Sequence, residues 1–365
     1  MPRLAKLSAY AVRVPLERPL LLSNQTITAR DYVIVEALDE QGMIGRAIGY
    51  GRGAPVEAVV ERMLVPLWQG GELDDYAALY DRTARTYSMQ GSHGMFWRAM
   101  SLADCAVHDL RATQAGMPLA EFLGGKVAPV TTTLAGCYPV ADETPDTIAQ
   151  LMRRMASFQA SGVKVTGSGD LAHDTARLRQ CRLALPEGTP LIIDLYNGAP
   201  QAVELVPFAR QWAEFGMGWL EDPYGFDEFD QLAALASSLP YPVGVGDEQA
   251  GLAHFRGLVD FGKIGVVRLD ATVCGGVTGF LRIARMAASR GLPVSCHVFH
   301  HLHAQLARVV ADCSVEYMLP ETGVDAIHLL LQQDLGWQEG KLIPAGRPGI
   351  GHIWDEKAIQ RYRTT

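Results

Sequence analysis

The stretch from Leu191 to Asp247 repeats one unit three times: Leu191-Ile192-Ile193-Asp194-Leu195, Gly218-Trp219-Leu220-Glu221 and Val243-Gly244-Val245-Gly246-Asp247. Each is a short apolar run with a carboxylate at or near its end, which reads as a buried strand. Amphipathic stretches with helical spacing, such as 202–215, lie between them. Strands that alternate with helices imply parallel pairing. Worked outward, the same rhythm predicts eight strands, at 131–135, 163–166, 191–195, 218–221, 243–247, 266–270, 293–297 and 314–318. Eight such β/α units, each about 25 to 30 residues long, predict a closed barrel.

Upstream, the pattern differs. Residues 4–14 and 32–38 are rich in β-branched side chains, and Asp39-Glu40-Gln41-Gly42 supplies a turn before 44–48, giving a three-stranded meander. Helices are predicted over 56–67, 75–87 and 95–115. The last carries Met100, Ala103, Val107 and Leu110 on one face and stops before Gly116-Met117-Pro118. Beyond the barrel, a glycine- and proline-bearing tail ends in a short helix from Asp355 and is expected to pack on the N-terminal domain. The expected division is therefore an α+β domain over 1–128, a barrel over 129–335 and a returning C-terminal segment over 336–365.

A net charge of −8 argues against nucleic acid or an anionic membrane as the partner. A small anionic substrate remains compatible, because a local cation outweighs the global charge. The six cysteines form no C-x-x-C pair and read as reduced, mostly buried thiols. Residues 1–14 alternate polar and apolar rather than forming a signal sequence, and no apolar run approaches the roughly 20 residues of a membrane span. A cytoplasmic address is expected.

In such a barrel the C-terminal ends of the strands hold the active site. Those ends carry Lys164, Asp194, Glu221, Asp247, Asp270, His297 and Glu316. Five carboxylates converging on one mouth need a neutralising partner, since each isolated buried charge costs several kcal/mol. Asp194, Glu221 and Asp247 are spaced by 27 and 26 residues, one per strand. Three carboxylates completed by water and substrate suit one Mg²⁺ per subunit. Glu248 competes with Asp247 for the third position, because neighbouring side chains on a strand face opposite ways.

The runs Trp219-Leu220-Glu221-Asp222-Pro223, Gly246-Asp247-Glu248, Arg268-Leu269-Asp270, Gly275-Gly276-Val277-Thr278-Gly279 and Ser295-Cys296-His297-Val298-Phe299 make the reading specific. With Ala103-Asp104, Asp109-Leu110, Pro118-Leu119, Leu123-Gly124-Gly125 and Arg347-Pro348-Gly349-Ile350-Gly351, they resemble the mandelate racemase branch of the enolase superfamily along nearly the whole chain. The resemblance implies a modified TIM barrel, (β/α)7β, with an α+β capping domain completed by the C-terminal segment. It also implies a homo-oligomer and a Mg²⁺ that binds a substrate carboxylate and stabilises the enediolate left by loss of the α-proton. Asp270 and His297 resemble the family's dyad, in which the carboxylate orients the imidazole that takes the proton. Glu316, with Glu321 as its rival, resembles the acidic group at the end of the eighth strand.

Two departures bear on the reaction. Where the family carries Lys-x-Lys on the second strand, this chain has Lys164-Val165-Thr166, and threonine cannot serve as the opposing base, which leaves Thr166 as a substrate contact. Lys164 is left to bind the substrate carboxylate, or to face the site as a base if the register shifts by one. Where the family has Asp-x-Asn, this chain has Asp194-Leu195-Tyr196-Asn197, leaving Asn197 as a substrate contact. Residues 22–28 and 88–95 read as loops over the mouth, with Ser23, Asn24, Gln25 and His93 offered to substrate hydroxyls. His300, His301 and His303 open the next helix and are not expected to be metal ligands, although His301 or His303 could reach substrate. A single histidine base suits dehydration of an aldonate or aldarate, because the same imidazole can protonate the departing hydroxyl. A racemase or epimerase, or a carboxylate-binding relative without turnover, are the alternatives.

Overall fold

The computed structural model describes residues 2–364 except Ser92 and Phe226. Strands β1 (Leu4–Leu21), β2 (Thr26–Asp39) and β3 (Ile44–Tyr50) form an antiparallel sheet in that order. β1 runs past its predicted end at Val14. Pro15 has no N–H to give, so the ladder breaks and resumes with a shifted register at Leu20. The turn into β3 is held by Asp39, whose Oδ1 accepts from the backbone N–H groups of Gln41 and Met43 at 2.9 and 2.8 Å. The helix predicted over 56–67 is continuous but widens to a π-turn at Val60–Leu64, just ahead of Pro66, where a ring replaces an N–H. The helix Met95–Gln114 buries Met100, Ala103, Val107 and Leu110 completely, as its spacing requires.

The barrel strands are β4 (Val130–Cys137), β5 (Gly162–Thr166), β6 (Leu191–Asp194), β7 (Met217–Glu221), β8 (Val243–Val245), β9 (Val266–Leu269), β10 (Val294–Cys296) and β11 (Cys313–Met318). They are hydrogen-bonded in sequence order, all parallel, and β11 closes on β4 with Glu316 opposite Thr133. Seven helices, from Pro145–Ala156 to His300–Leu306, connect successive strands. This is the expected (β/α)7β arrangement. No helix among the described residues is long and apolar enough to cross a membrane.

The tail departs from expectation in its first part. β12 (Gly336–Gln338) and β13 (Lys341–Ile343) form a hairpin that adds antiparallel to β4, so this part packs on the barrel. The chain then returns to the N-terminal domain, where the helix Glu356–Tyr362 packs on β1. Gly349 makes that return possible. It sits at φ +73°, and a Cβ there would lie 2.2 Å from Asp109 Oδ1, which accepts from the Ile350 N–H. A second seam joins the two domains directly. Gly276 (φ +72°) has no room for a Cβ beside Asp104, and this closeness lets Asp104 Oδ2 accept from Thr278 N at 2.9 Å. Asp104 Oδ1 accepts from Thr278 Oγ1 at 2.8 Å and from Tyr76 at 2.8 Å, so the motif residues around 104 and 276 are a docking joint.

Candidate active site

The floor of the mouth is a ring of alternating charge. Lys164 on β5, Glu221 on β7, Arg268 on β9 and Glu316 on β11 come from alternate strands, as a layer inside such a barrel does. Lys164 Nζ lies 2.7 Å from Glu221 Oε1 and 3.0 Å from Glu316 Oε2; Arg268 Nη2 lies 3.1 and 2.5 Å from the same two atoms. All four are at most 2% exposed, so the ring is dry, and two cations against two anions make it neutral. Burial works against the Lys164 charge, yet Glu221, Glu316 and Asp194 hold its pKa well above the ordinary lysine value. Burial likewise opposes the Glu221 charge, but Arg268 and Lys164 hold that carboxyl below its usual range.

Above the ring the balance turns negative. Asp194, Asp222, Asp247 and Asp270 are all buried, with His297 and the upper side of Lys164 among them and Arg268 Nη2 3.9 Å from Asp247 Oδ2. Lys164 Nζ is 3.3 Å from Asp194 Oδ2. Burial pushes the Asp194 carboxyl up to about 7 despite Lys164, with Glu221 and Asp247 adding repulsion. Asp222, buried and bonded to Asp247, is pushed well above the carboxylate range. Carboxylates forced to hold protons beside one another mark a place for a cation. Asp194, Glu221 and Asp247, on adjacent strands and offering only oxygen, fit a hard divalent ion. Glu248 is committed elsewhere: its carboxylate is bound by Arg98 and, at 3.1 Å, by Arg52 Nε.

His297 follows β10 and Asp270 follows β9. His297 Nδ1 is 3.0 Å from Asp270 Oδ2, and its Nε2 turns to the cavity, 3.8 Å from Asp247 Oδ2. The Asp270 carboxylate is fixed in turn by Thr272 N at 2.7 Å. Burial, then the charges of Lys164, Arg268 and Arg52, hold the His297 pKa well below that of free imidazole, so the ring is neutral and able to accept a proton. The strand ends here are strained. Val298 (φ +46°) and Phe299 (φ +34°) are consecutive left-handed residues, one of them β-branched, right beside the histidine.

A cavity of about 330 Å³ opens over these groups, with Asp194, Asp247 and His297 in its wall. Asn24, Gln25, Tyr50, Arg52 and Arg98 close it from the N-terminal domain, and Tyr138, Tyr196 and Asn197 from the barrel. Asn24 Nδ2 is 3.4 Å from the Tyr196 carbonyl, so the 22–28 loop does lie over the mouth. The domain is anchored there by Tyr32 and Tyr50, whose hydroxyls donate to Asp325 Oδ1 at 2.6 and 2.8 Å. A larger groove of about 910 Å³ runs beside β1, but no comparable convergence of carboxylates and imidazole lines it.

Several expected contacts fall elsewhere. Thr166 shares the inward face of β5 with Lys164 and stands level with Asp194, but it is buried and too short to line the cavity. His93 is exposed and sits 6.4 Å from the His254 ring, outside the cavity; Ser92 of the same loop lies outside the described residues. His303 is fully buried, bonded to the Val298 carbonyl at 2.7 Å and accepting from Ala271 N at 2.9 Å, so it braces the dyad instead of meeting substrate. His301 does not line the cavity either. Glu321 is exposed and paired with Arg154 at 2.7 Å, leaving Glu316 as the acid in the barrel. Arg268 was visible as a charge inside the apolar run Val266-Val267-Arg268-Leu269, yet only the folded ring shows its partners.

A capped barrel that gathers carboxylates, a buried lysine and a His–Asp pair at one mouth is the arrangement of a metal-dependent enzyme. The comparisons place it within that class. Residues 5–124 match the mandelate racemase / muconate lactonizing enzyme N-terminal domain, and residues 146–358 match the enolase C-terminal domain-like family. The chain belongs to this family of the enolase superfamily. It is 26% identical to L-talarate/galactarate dehydratase of Salmonella typhimurium over 92% of this chain and 83% of that one. Muconate cycloisomerase 1 of Rhodococcus opacus is 25% identical over 96% and 95% of the two chains. The crystal structure of an alpha-proteobacterial enolase (bal199) with bound Mg superposes with a TM-score of 0.88 at 26% identity, covering 100% of both chains.

Proposed function

We propose that the protein is a Mg²⁺-dependent dehydratase of a sugar acid, removing the proton next to the carboxylate and eliminating the β-hydroxyl to give a 2-keto-3-deoxy acid. The observation that carries this reading is the asymmetry of the site. His297, neutral and held by Asp270, is a base on one face. On the other face Lys164 is kept charged by three carboxylates, and Thr166 stands where a second lysine would be needed. Racemisation requires a base on each face; β-elimination requires one.

Asp194, Glu221 and Asp247 would hold the metal, which supplies electrostatic stabilisation to a bound carboxylate as its α-carbon loses a proton. His297 Nε2 takes that proton and, as imidazolium, returns it to the departing hydroxyl. Asp270 keeps Nδ1 protonated and steadies the transient positive charge. Lys164 Nζ, 3.3 Å from Asp194, is the charge of the ring that reaches toward the place where negative charge builds on the substrate. Asn24, Gln25, Asn197 and the tyrosine hydroxyls present a polar wall of the kind a polyhydroxylated chain needs. The dehydratase relative acts on acid sugars, which agrees with that wall.

The test is a screen of the Mg²⁺-loaded protein against mono- and diacid sugars, detecting 2-keto product. A hit abolished by EDTA and by His297→Asn establishes the reading. Deuterium uptake at the α-carbon in D₂O without keto product would move the assignment to a racemase or epimerase.

A further inference from the structure

Three histidines gather behind the barrel wall, away from the cavity. His300 and His301 begin the helix after β10, Asp334 lies on the segment that follows β11, and His352 belongs to the tail. One ligand atom each from His300, His301 and Asp334 falls within 4.8 Å of the others. The His300 and His301 rings are 4.3 Å apart, and the His352 ring lies 5.0 Å from that of His301, tilted by 54°.

The contacts within this group are uneven. His300 Nε2 is 2.7 Å from Asp334 Oδ1, and Tyr317 donates to Asp334 Oδ2 at 2.6 Å, so the carboxylate is well oriented. His301 is 3% exposed and sparsely contacted: its Nε2 stands 3.8 Å from Asp334 Oδ1, and the Gln333 backbone is its other polar neighbour. His352 Nδ1 is buried and unpartnered. Buried polar atoms in folded proteins are nearly always paired, so a buried imidazole this sparsely contacted beside an unpartnered one needs an explanation. Burial, then the neighbouring His300 and His352, holds His301 neutral, the form that binds metals.

We propose that His300, His301 and Asp334 form a second metal site, separate from the carboxylate cluster, that takes a divalent transition-metal ion of the zinc class. Imidazole donors select such ions over Mg²⁺, which prefers oxygen alone. Two histidines and one carboxylate leave a position open for water or for His352. Zinc–ligand bonds of about 2 Å place tetrahedral ligand atoms about 3.3 Å apart, so the His301 ring and the Asp334 carboxylate close inward on the ion. Tyr317, hydrogen-bonded to Asp334, supplies the outer support such ligands need. The half-exposed side of Asp334, at 31%, is the way in. The ion would pin the segment after β11 to the helix that starts three residues beyond His297, a structural role independent of the reaction proposed above.

The test strips the protein with EDTA, saturates it with Mg²⁺, and titrates Zn²⁺ against a chromophoric chelator. One zinc per chain is expected in the presence of Mg²⁺, with at least tenfold weaker binding in His301→Ala and His300→Ala. Co²⁺ bound in its place should show the visible absorption of nitrogen-ligated cobalt, lost in the same variants. Glu221→Gln, which disables the carboxylate cluster, should keep its zinc and so decides the matter if the histidine variants do not fold. Zinc that Mg²⁺ displaces, that His301→Ala retains, or that Glu221→Gln loses would overturn the proposal.

Discussion

The two faces of the cavity are built from the same parts list and behave differently. On the β9–β10 face, burial removes the charge of His297, and Asp270 leaves Nε2 directed at the cavity. On the β5 face, burial fails to remove the charge of Lys164, because three carboxylates lie within 3.3 Å of its nitrogen. Desolvation is similar on both sides, so the neighbours decide the outcome. A basic residue at the mouth is therefore not yet a base. The next residue on the inward face of β5 could have been one, and it is Thr166.

The strongest way to break this comparison is His297→Asn. Loss of the base should lower kcat by about a thousandfold, within the usual range for general base catalysis, while Mg²⁺ affinity by calorimetry stays near wild type. Asp270→Asn should cost about a hundredfold, through the wrong imidazole tautomer. Turnover that survives His297→Asn would place the base elsewhere. The sharpening counterpart is Thr166→Lys. A lysine there should bring α-deuterium exchange with inversion, seen by NMR in D₂O, that wild type lacks. If inversion already occurs in wild type, the site is not one-sided.

The ring beneath both faces should respond in stability. Arg268→Met leaves Glu221 and Glu316 sharing Lys164 alone, and breaking a buried ion pair from one side costs about 3–5 kcal/mol. Urea denaturation reads this directly, and an unchanged midpoint would mean the ring contributes nothing net. A pH series separates the upper carboxylates from the ring. Burial raises the folded Asp194 pKa from 3.8 to about 7, so without metal its contribution is full below pH 4 and is lost as pH rises through 7. Asp270, also pushed up to about 7 by burial, acts in the same direction. The stabilisation by Mg²⁺, read as a rise in Tm over EDTA-treated protein, should therefore grow from pH 5 to pH 8. A flat difference would mean that the metal does not engage these carboxylates.

The barrel was legible because strand and helix periods differ and recur, and the spacing of Asp194, Glu221 and Asp247 follows from one ligand per strand. Arg268 was not assigned a role, since a strand pattern says that a charge is buried but not which charge answers it from two strands away. Arg52, Arg98 and Tyr50 escaped for another reason. They reach the cavity through the docking of one domain on the other, at Gly276 and Asp104 and at Asp325, a relation that no local pattern carries. The β12–β13 hairpin was missed because its three-residue strands lie outside the β/α rhythm that located the equally short β8 and β10.

The smallest expected effect tests the roof of the cavity. Asn24 and His93 looked equivalent in sequence, as polar residues in loops over the mouth, and the structure separates them. Asn24 lines the cavity beside Tyr196, whereas His93 packs near His254 on the outside. Removing one hydrogen bond to substrate costs about 0.5–1.5 kcal/mol, so Asn24→Ala should raise KM about two- to tenfold with little change in kcat. His93→Ala should leave both constants within about twofold, since no substrate contact is lost. The two variants share a loop setting and a loss of one polar side chain, so a difference between them isolates contact with the substrate. Equal effects would mean that the 88–95 loop closes further over the mouth when substrate binds.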